Sequence, residues 1–477
     1  MAEPVVAVAP HLRSLRDLPS PPGLPLVGQM FAADPARFHQ QLEGWRRECG
    51  DLYRLRMGPR QFLVVADPEA TAAALRDRPA GIGRSQRVVD VSARMGFPGL
   101  FSVNGEAWRR QRPMVMAAFD PGHIKRYFPS LAKVTGRFAG AWARAAASGT
   151  PIDLQADLMR YTVDAISGLA FGVDTNTIES DGDVIQQHLD QVLPALFRRV
   201  MAPFQTWRWL RTPAERRVDE SIAIVGRAVQ DFISQARERL ARDPSLRERP
   251  RNLIEAMLVA RDKPGSALDD GDLAGNVMTM LLAGEDTTAN TLAWMIYLLA
   301  RHPEAQARAR AEVQRVLGGE RWPTTLEQVA ALDIVEACAH ETMRLKPVAP
   351  IIVQQAHRDT AVAGVEVPAG TLLIFLMRGG ALDARHFPEP ERFDPQRWLD
   401  GGADAGSSKR VAMPFGAGPR ICPGRYLALV EIKMVIAMLL ANFEIVAVDT
   451  PDGGEARERL ALTMSPVGLR LRLAPLA

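Results

Sequence analysis

The chain has 477 residues, 47% of them hydrophobic and 24% charged, an ordinary globular balance with ample length for a large core. Its net charge of +3 gives no case for nucleic-acid binding. Cys49, Cys338 and Cys422 are too few and too scattered for a disulfide framework, which favours a reducing, cytoplasmic compartment.

The first residues, MAEPVVAVAP, form an apolar run too short to span a bilayer, and no basic residue precedes it as in a signal peptide. Residues 1–17 are expected to be a flexible segment ahead of one domain over 18–477. From Leu18 to Gly28 four prolines force an extended entry piece. An amphipathic helix is predicted over Pro35–Glu48. Strands follow at Leu52–Met57 and Gln61–Ala66, turned at Gly58-Pro59. From Trp108 to about Ala260 the pattern is mainly helical, with breaks at Gly149-Thr150-Pro151, Pro203 and Pro213. The charge-dense run Arg237–Arg251 reads as a solvated connection.

One long helix, about 45 Å at 1.5 Å per residue, is predicted from Asp270 to Arg301. Its apolar stretch approaches membrane-spanning length, but Glu285 and Asp286 interrupt it, so a buried helix and no stable membrane anchor are expected. Two more helices follow, the second ending near Lys346-Pro347. Thr360–Phe375 reads as β structure, a Pro/Gly/Arg-rich stretch runs to Gly424, and a last helix covers Arg425–Asn442. There is no internal repeat. The sum is a mainly α chain with small β-sheets. A length prior of about 150 residues per domain would give three domains, but the motifs interlock across the second half and favour one.

Four motifs carry the chemistry. Phe415-Gly416-Ala417-Gly418-Pro419-Arg420-Ile421-Cys422-Pro423-Gly424 places a cysteine in a glycine-rich loop just before a helix, whose positive end favours a thiolate. Gly416, Gly418 and Gly424 would let the backbone turn its N–H groups toward the sulfur. By itself Cys422 could equally be a small buried hydrophobe. Glu341-Thr342-Met343-Arg344 puts an acid and a base at i and i+3 on one helical face, a pattern that also suits a surface ion pair. Ala283-Gly284-Glu285-Asp286-Thr287-Thr288, inside the long helix, sets an acid beside an alcohol where Gly and Thr weaken the helical ladder. Trp108-Arg109-Arg110-Gln111-Arg112 directs Trp108 and Arg112 to one side of a helix.

Together these motifs resemble, in order and spacing, those of the cytochromes P450: F-x-x-G-x-R-x-C-x-G, E-x-x-R, [AG]-G-x-[DE]-T-[TS] and W-x-x-x-R. The segment Phe393–Trp398 is similar to the family's F-x-P-x-R-[FW]. The resemblance runs from about residue 18 to the end. It implies a single-domain, triangular, mostly helical fold holding haem b, with Cys422 as iron ligand and Trp108, Arg112 and Arg420 around the propionates. Ala283, Phe415, Gly416 and Gly424 would border the haem. Glu341, Arg344 and Arg397 would form a structural triad, and Asp286 and Thr287 would deliver protons during O₂ activation. Met343–Pro350 resembles soluble fatty-acid hydroxylases, which implies a pocket lined by Phe101, Ala283, Ala349, Pro350 and Ile351. Gln354 and Gln355 stand where many members have a propionate-binding Arg or His, and His357 is an ill-fitting substitute.

The implied activity is insertion of one oxygen atom from O₂ into a hydrophobic small molecule such as a fatty acid, terpenoid or steroid. Electrons would come from NAD(P)H through separate partners, a ferredoxin and its reductase or a flavodoxin-type donor, no fused reductase being expected. Arg109, Arg110, Lys409, Arg410 and Arg425 would offer a basic docking face. The alternatives are a peroxide-driven peroxygenase, against which Asp286-Thr287 stands intact, and a non-catalytic haem sensor, which would need no such pair. The aromatic, basic segment Leu196–Leu210 suits either a lipid-facing substrate entrance or an ordinary amphipathic helix pair.

Overall fold

The computed structural model of the chain describes residues 12–180, 184–202, 204–210, 212–399 and 405–476, with backbone alone at 184–187, 190 and 405–407. The helix Asp270–Arg301 forms the axis of the molecule and starts at a capping box between Asp269 and Asp272. It is buried on nearly every side because other helices surround it: Leu154–Phe171, Arg425–Asn442, Asp333–Leu345 and Pro213–Arg242. Pro121–Ser148 packs across Leu154–Phe171 and Arg425–Asn442. The last of these is apolar around its whole circumference, as an enclosed helix must be, yet carries the buried Glu431 and Lys433.

A five-stranded sheet lies to one side, in the order Leu52–Met57, Arg60–Val65, Leu372–Leu376, Ile351–Ala356, Ile82–Gly83. Only the second and third strands run parallel. The expected β region over 360–375 therefore splits between a small hairpin, Thr360–Val362 with Val365–Val367, and a strand of the main sheet. One continuous hydrophobic core joins Phe38 near the start to Leu473 near the end, which makes the chain a single domain.

Several local expectations change. Pro213 opens a helix instead of breaking one, because at the first position its missing N–H costs nothing and Thr212 caps Glu215 N–H. That helix continues to Arg242, so the first part of the charged run is helical: Arg239 reaches Glu255 at 2.8 Å and Leu240 is buried. Of the expected flexible start, residues 1–11 lie outside the described residues, while Arg13 bridges to Val365 and Leu15 is buried in a second core beneath the sheet. In the segment 196–210, Leu196 is buried and Arg199 pairs with Glu215 and Asp219. Phe204, Trp209 and Leu210 are 73%, 78% and 64% exposed, and Pro203 lies outside the described residues. No described helix is long and apolar enough to cross a membrane.

Candidate active site

The loop ahead of Arg425–Asn442 is closed on itself. Cys422 N–H donates to the Phe415 carbonyl at 3.0 Å, and a turn of 3₁₀ helix covers Gly418–Arg420. Gly416 and Gly418 have φ of 74° and 69°, where side chains are strained, and a Cβ at Gly418 would meet the Leu75 carbonyl oxygen at 2.4 Å. Gly424 departs from expectation: its φ of −83° suits any residue, so the tight turn does not demand glycine there. Burial pushes the Cys422 thiol up, while the N–H groups of Gly424 and Arg425 and the guanidinium groups of Arg112 and Arg425 pull it back. That donor set suits a thiolate neutralised by a cation.

Beside this sulfur stands a group of arginines. The guanidinium carbons of Arg420 and Arg112 lie 5.1 and 6.0 Å from the Trp108 ring. Arg112 donates to the Ile421 carbonyl at 2.7 Å, and Arg420 to Val103 O and, at 3.1 Å, to Asn104 Oδ1. Two further members, Arg78 and Arg84, carry no sequence motif. Arg78 donates to Leu75 O and Ala417 O, and Arg84 donates to Phe101 O at 2.7 Å while covering the Phe101 ring at 4.3 Å. Among the described residues none of these four makes an ion pair, and Arg420 Nε is buried without a hydrogen-bond partner.

Burial, then repulsion from Arg84, Arg78 and Arg112, holds Arg420 down to about 9; burial holds Arg84 down to about 10. A dense, uncompensated positive cluster with an orphaned donor, next to a thiol, fits a ligand that brings an anion and a metal together. The two propionates and the iron of haem meet that requirement. The doubtful propionate contact on the strand Ile351–Ala356 is not restored by its glutamines: Gln354 bonds Val353 O and Gln355 bonds Gln86 N–H and Gly370 O. His357 Nε2 lies 3.2 Å from the Arg84 carbonyl. Arg78 and Arg84 are the members of this cluster that sequence reasoning missed; their surroundings have no motif or periodicity that would flag either.

On the central helix the Ala283–Thr288 motif causes no break. Gly284 lets the helix Leu154–Phe171 approach, since a Cβ there would lie 3.0 Å from Ile166 Cγ1. Thr287 Oγ1 donates to Ala283 O at 2.8 Å, a back-bond that bends helices. Ala283 is exposed although most of this helix is buried. Asp286 accepts from Asn290 Nδ2 at 2.8 Å and from the hydroxyl of Thr463, and burial pushes its carboxyl up. Neighbouring Thr288 hydrogen-bonds Glu431, whose carboxyl burial pushes up to about 8.

Glu341, Arg344 and Arg397 are brought together. Arg344 holds both Glu341 oxygens at 2.8 Å with neither residue exposed, and Arg397 Nε lies 3.4 Å from Glu341 Oε1. Trp398 Nε1 and Asp394 N–H also donate to Glu341, at 2.9 Å each. Of the pocket candidates, Phe101 lies under Arg84, Pro350 is buried, Ile351 opens a sheet strand and Ala349 is exposed. Arg110 is not part of a free basic face, because it pairs with Asp272 at 2.9 Å. Lys409, Arg410 and Arg425 are exposed.

Comparison with known proteins agrees with this geometry. The family model described as Cytochrome P450 matches residues 18–471. Cyclooctat-9-en-7-ol 5-monooxygenase of Streptomyces melanosporofaciens is 31% identical over 446 residues, 93% of this chain and 92% of that protein. Pentalenene oxygenase of Streptomyces avermitilis is 29% identical, covering 95% and 96%. The crystal structure of the cytochrome P450DA heme domain superposes with a TM-score of 0.83 at 26% identity, covering 96% of this chain and 98% of that one. Fold and site thus define a haem-dependent oxidoreductase. The chain belongs to the cytochrome P450 family and is a cytochrome P450 monooxygenase, which implies haem iron and O₂.

Proposed function

We propose that the chain hydroxylates or epoxidises a hydrophobic small molecule of the terpenoid class. The observation that carries the chemistry is Cys422 in its closed loop beside arginines that make no ion pair among the described residues. The terpenoid class is supported by the printed names of two relatives that match over almost their whole length.

In this reading Cys422 ligates the iron, with the N–H groups of Gly424 and Arg425 and the cations of Arg112 and Arg425 sustaining its negative charge. Trp108, Arg112 and Arg420, joined by Arg84 and Arg78, would hold the propionates, and Phe415, Gly416, Gly424 and Ala283 would border the haem. Bound haem supplies activation of O₂ and transfer of one of its oxygen atoms to the substrate. Asp286 and Thr287 pass protons toward that centre, and Phe101, Ala283, Ala349, Pro350 and Ile351 orient the substrate. Glu341, Arg344 and Arg397 keep the loop's supports in place. NAD(P)H electrons arrive through a ferredoxin and its reductase, or a flavodoxin-type donor, docking near Lys409, Arg410 and Arg425. The setting is the cytoplasm of a bacterium.

The test is a titration of ferric haem-loaded protein with sesquiterpene and diterpene hydrocarbons and alcohols, steroids and fatty acids, read at the Soret band. The expected outcome is a saturable low-spin to high-spin shift with a terpenoid. A shift with fatty acids alone would discard the terpenoid class and return the substrate to the fatty-acid-hydroxylase resemblance.

A further inference from the structure

Asp286 is held by a residue far away in sequence. The hairpin Glu458–Leu460 with Met464–Pro466 turns at residues 461–463, closed by Ala461 N–H on Thr463 O at 2.9 Å. At its base, Glu458 is locked by Arg378 at 2.7 Å, Lys346 at 2.7 Å and the fully buried His39 at 2.8 Å. At its tip, the Thr463 hydroxyl donates to Asp286 Oδ2. Each carboxylate oxygen therefore has a neutral donor: Asn290 comes from the same helix, itself bonded by Gln155 at 3.2 Å, and Thr463 comes from outside. Among the described residues Asp286 makes no ion pair. Two buried carboxyl groups lie near it in the fold: Glu285, its neighbour on the same helix, and Glu431 of the packed helix Arg425–Asn442, which addresses Thr288. The tip is also tied to the substrate side, since Met464 N–H donates to Val348 O at 2.8 Å, next to Ala349 and Pro350.

We propose that Thr463 is a positioning residue for proton delivery, its hydroxyl fixing the orientation and proton affinity of Asp286 from a hairpin anchored beside the substrate pocket. This rests on the reading that Asp286 moves protons. Each turnover consumes two protons; for each one that Asp286 gives toward Thr287 it takes one from solvent water, so its own state is restored. Burial disfavours the Asp286 carboxylate, and the Thr463 hydrogen bond offsets part of that penalty. Losing the hydroxyl leaves a carboxyl that is more basic and less well aimed.

The experiment compares wild type with Thr463→Val, Thr463→Ala, Thr463→Ser and Asp286→Asn. The carboxyl C=O infrared band of Asp286, assigned by its loss in Asp286→Asn, is followed against pH in ferric substrate-free protein. Thr463→Val and Thr463→Ala should raise its midpoint by about one pH unit or more, and Thr463→Ser should restore it to within a few tenths. The fraction of electrons recovered in product should fall several-fold in the first two, with a shifted pH profile. Peroxide-driven turnover, which brings its own protons, should change less than about twofold. Unchanged titration and coupling in whichever hydroxyl-free variant folds, with coupling impaired in Asp286→Asn, would overturn the role of Thr463 alone. Normal coupling in Asp286→Asn would overturn the reading beneath it.

Discussion

Replacing Arg344 by Ala should be among the most damaging single changes in the molecule, and its cost can be worked from contacts. The side chain makes two 2.8 Å bonds to Glu341 and donates to the carbonyls of Ala381, Pro390 and Arg392 at 2.7, 2.6 and 3.1 Å. Neither Arg344 nor Glu341 is exposed to solvent. Truncation leaves a buried carboxylate that has lost its bidentate partner and three carbonyls without their donor. Breaking a buried pair costs roughly 3–5 kcal/mol, and orphaned carbonyls add about 1 kcal/mol each where water cannot reach them. The Asp394 and Trp398 donors and Arg397 soften the first figure, so about 5 kcal/mol is expected in all. Against a typical total of about 5–15 kcal/mol, that approaches unfolding. Urea unfolding followed by far-UV circular dichroism measures it. Arg344→Lys keeps the charge but not the fork, so it should still lose most of this stability. A cost below about 1 kcal/mol for Arg344→Ala would refute the reasoning, because it would mean that water reaches Glu341.

Arg420→Leu should leave the haem-free protein as stable as wild type or more so, because a buried, repelled cation is removed. Its haem should be lost at least about tenfold faster to a scavenging apoprotein, reflecting one missing charge-assisted contact. Gly418→Ala should lower stability by about 2 kcal/mol or more, seen as a drop in Tm, since φ is positive and the Leu75 carbonyl blocks the new methyl group. Glu431 predicts a pH dependence. Its folded-state value near 8 lies above the ordinary 4.5, so the folded state retains a proton that the unfolded state releases. Stability should fall progressively as pH rises from about 4.5 to 8, by at most about 5 kcal/mol at 1.36 kcal/mol per pKa unit. In Glu431→Gln that decline should flatten, measured as Tm from pH 5 to 9.

The sequence by itself determined the central helix, the cysteine loop, the E-x-x-R pair and the family, because each rests on local spacing. A 3.6-residue period, a cap, or glycines around one cysteine act over a few residues and can be read there. Hairpin residues 52–66 and the last helix were legible for the same reason. Local readings failed where a residue's role depended on its partner. Pro213 looked like a break until Thr212 and the packing of the following face made it a first turn. Arg110, counted with a basic face, turns to Asp272 more than 150 residues away in the chain. Only the tertiary structure brought Arg78 and Arg84 to Arg420, or Thr463 to Asp286, across more than 150 residues of chain with no shared motif. Such sites are made by the convergence of unlike elements in space. Burial then gives these charges and hydroxyls their strength, and burial is a property of the folded chain.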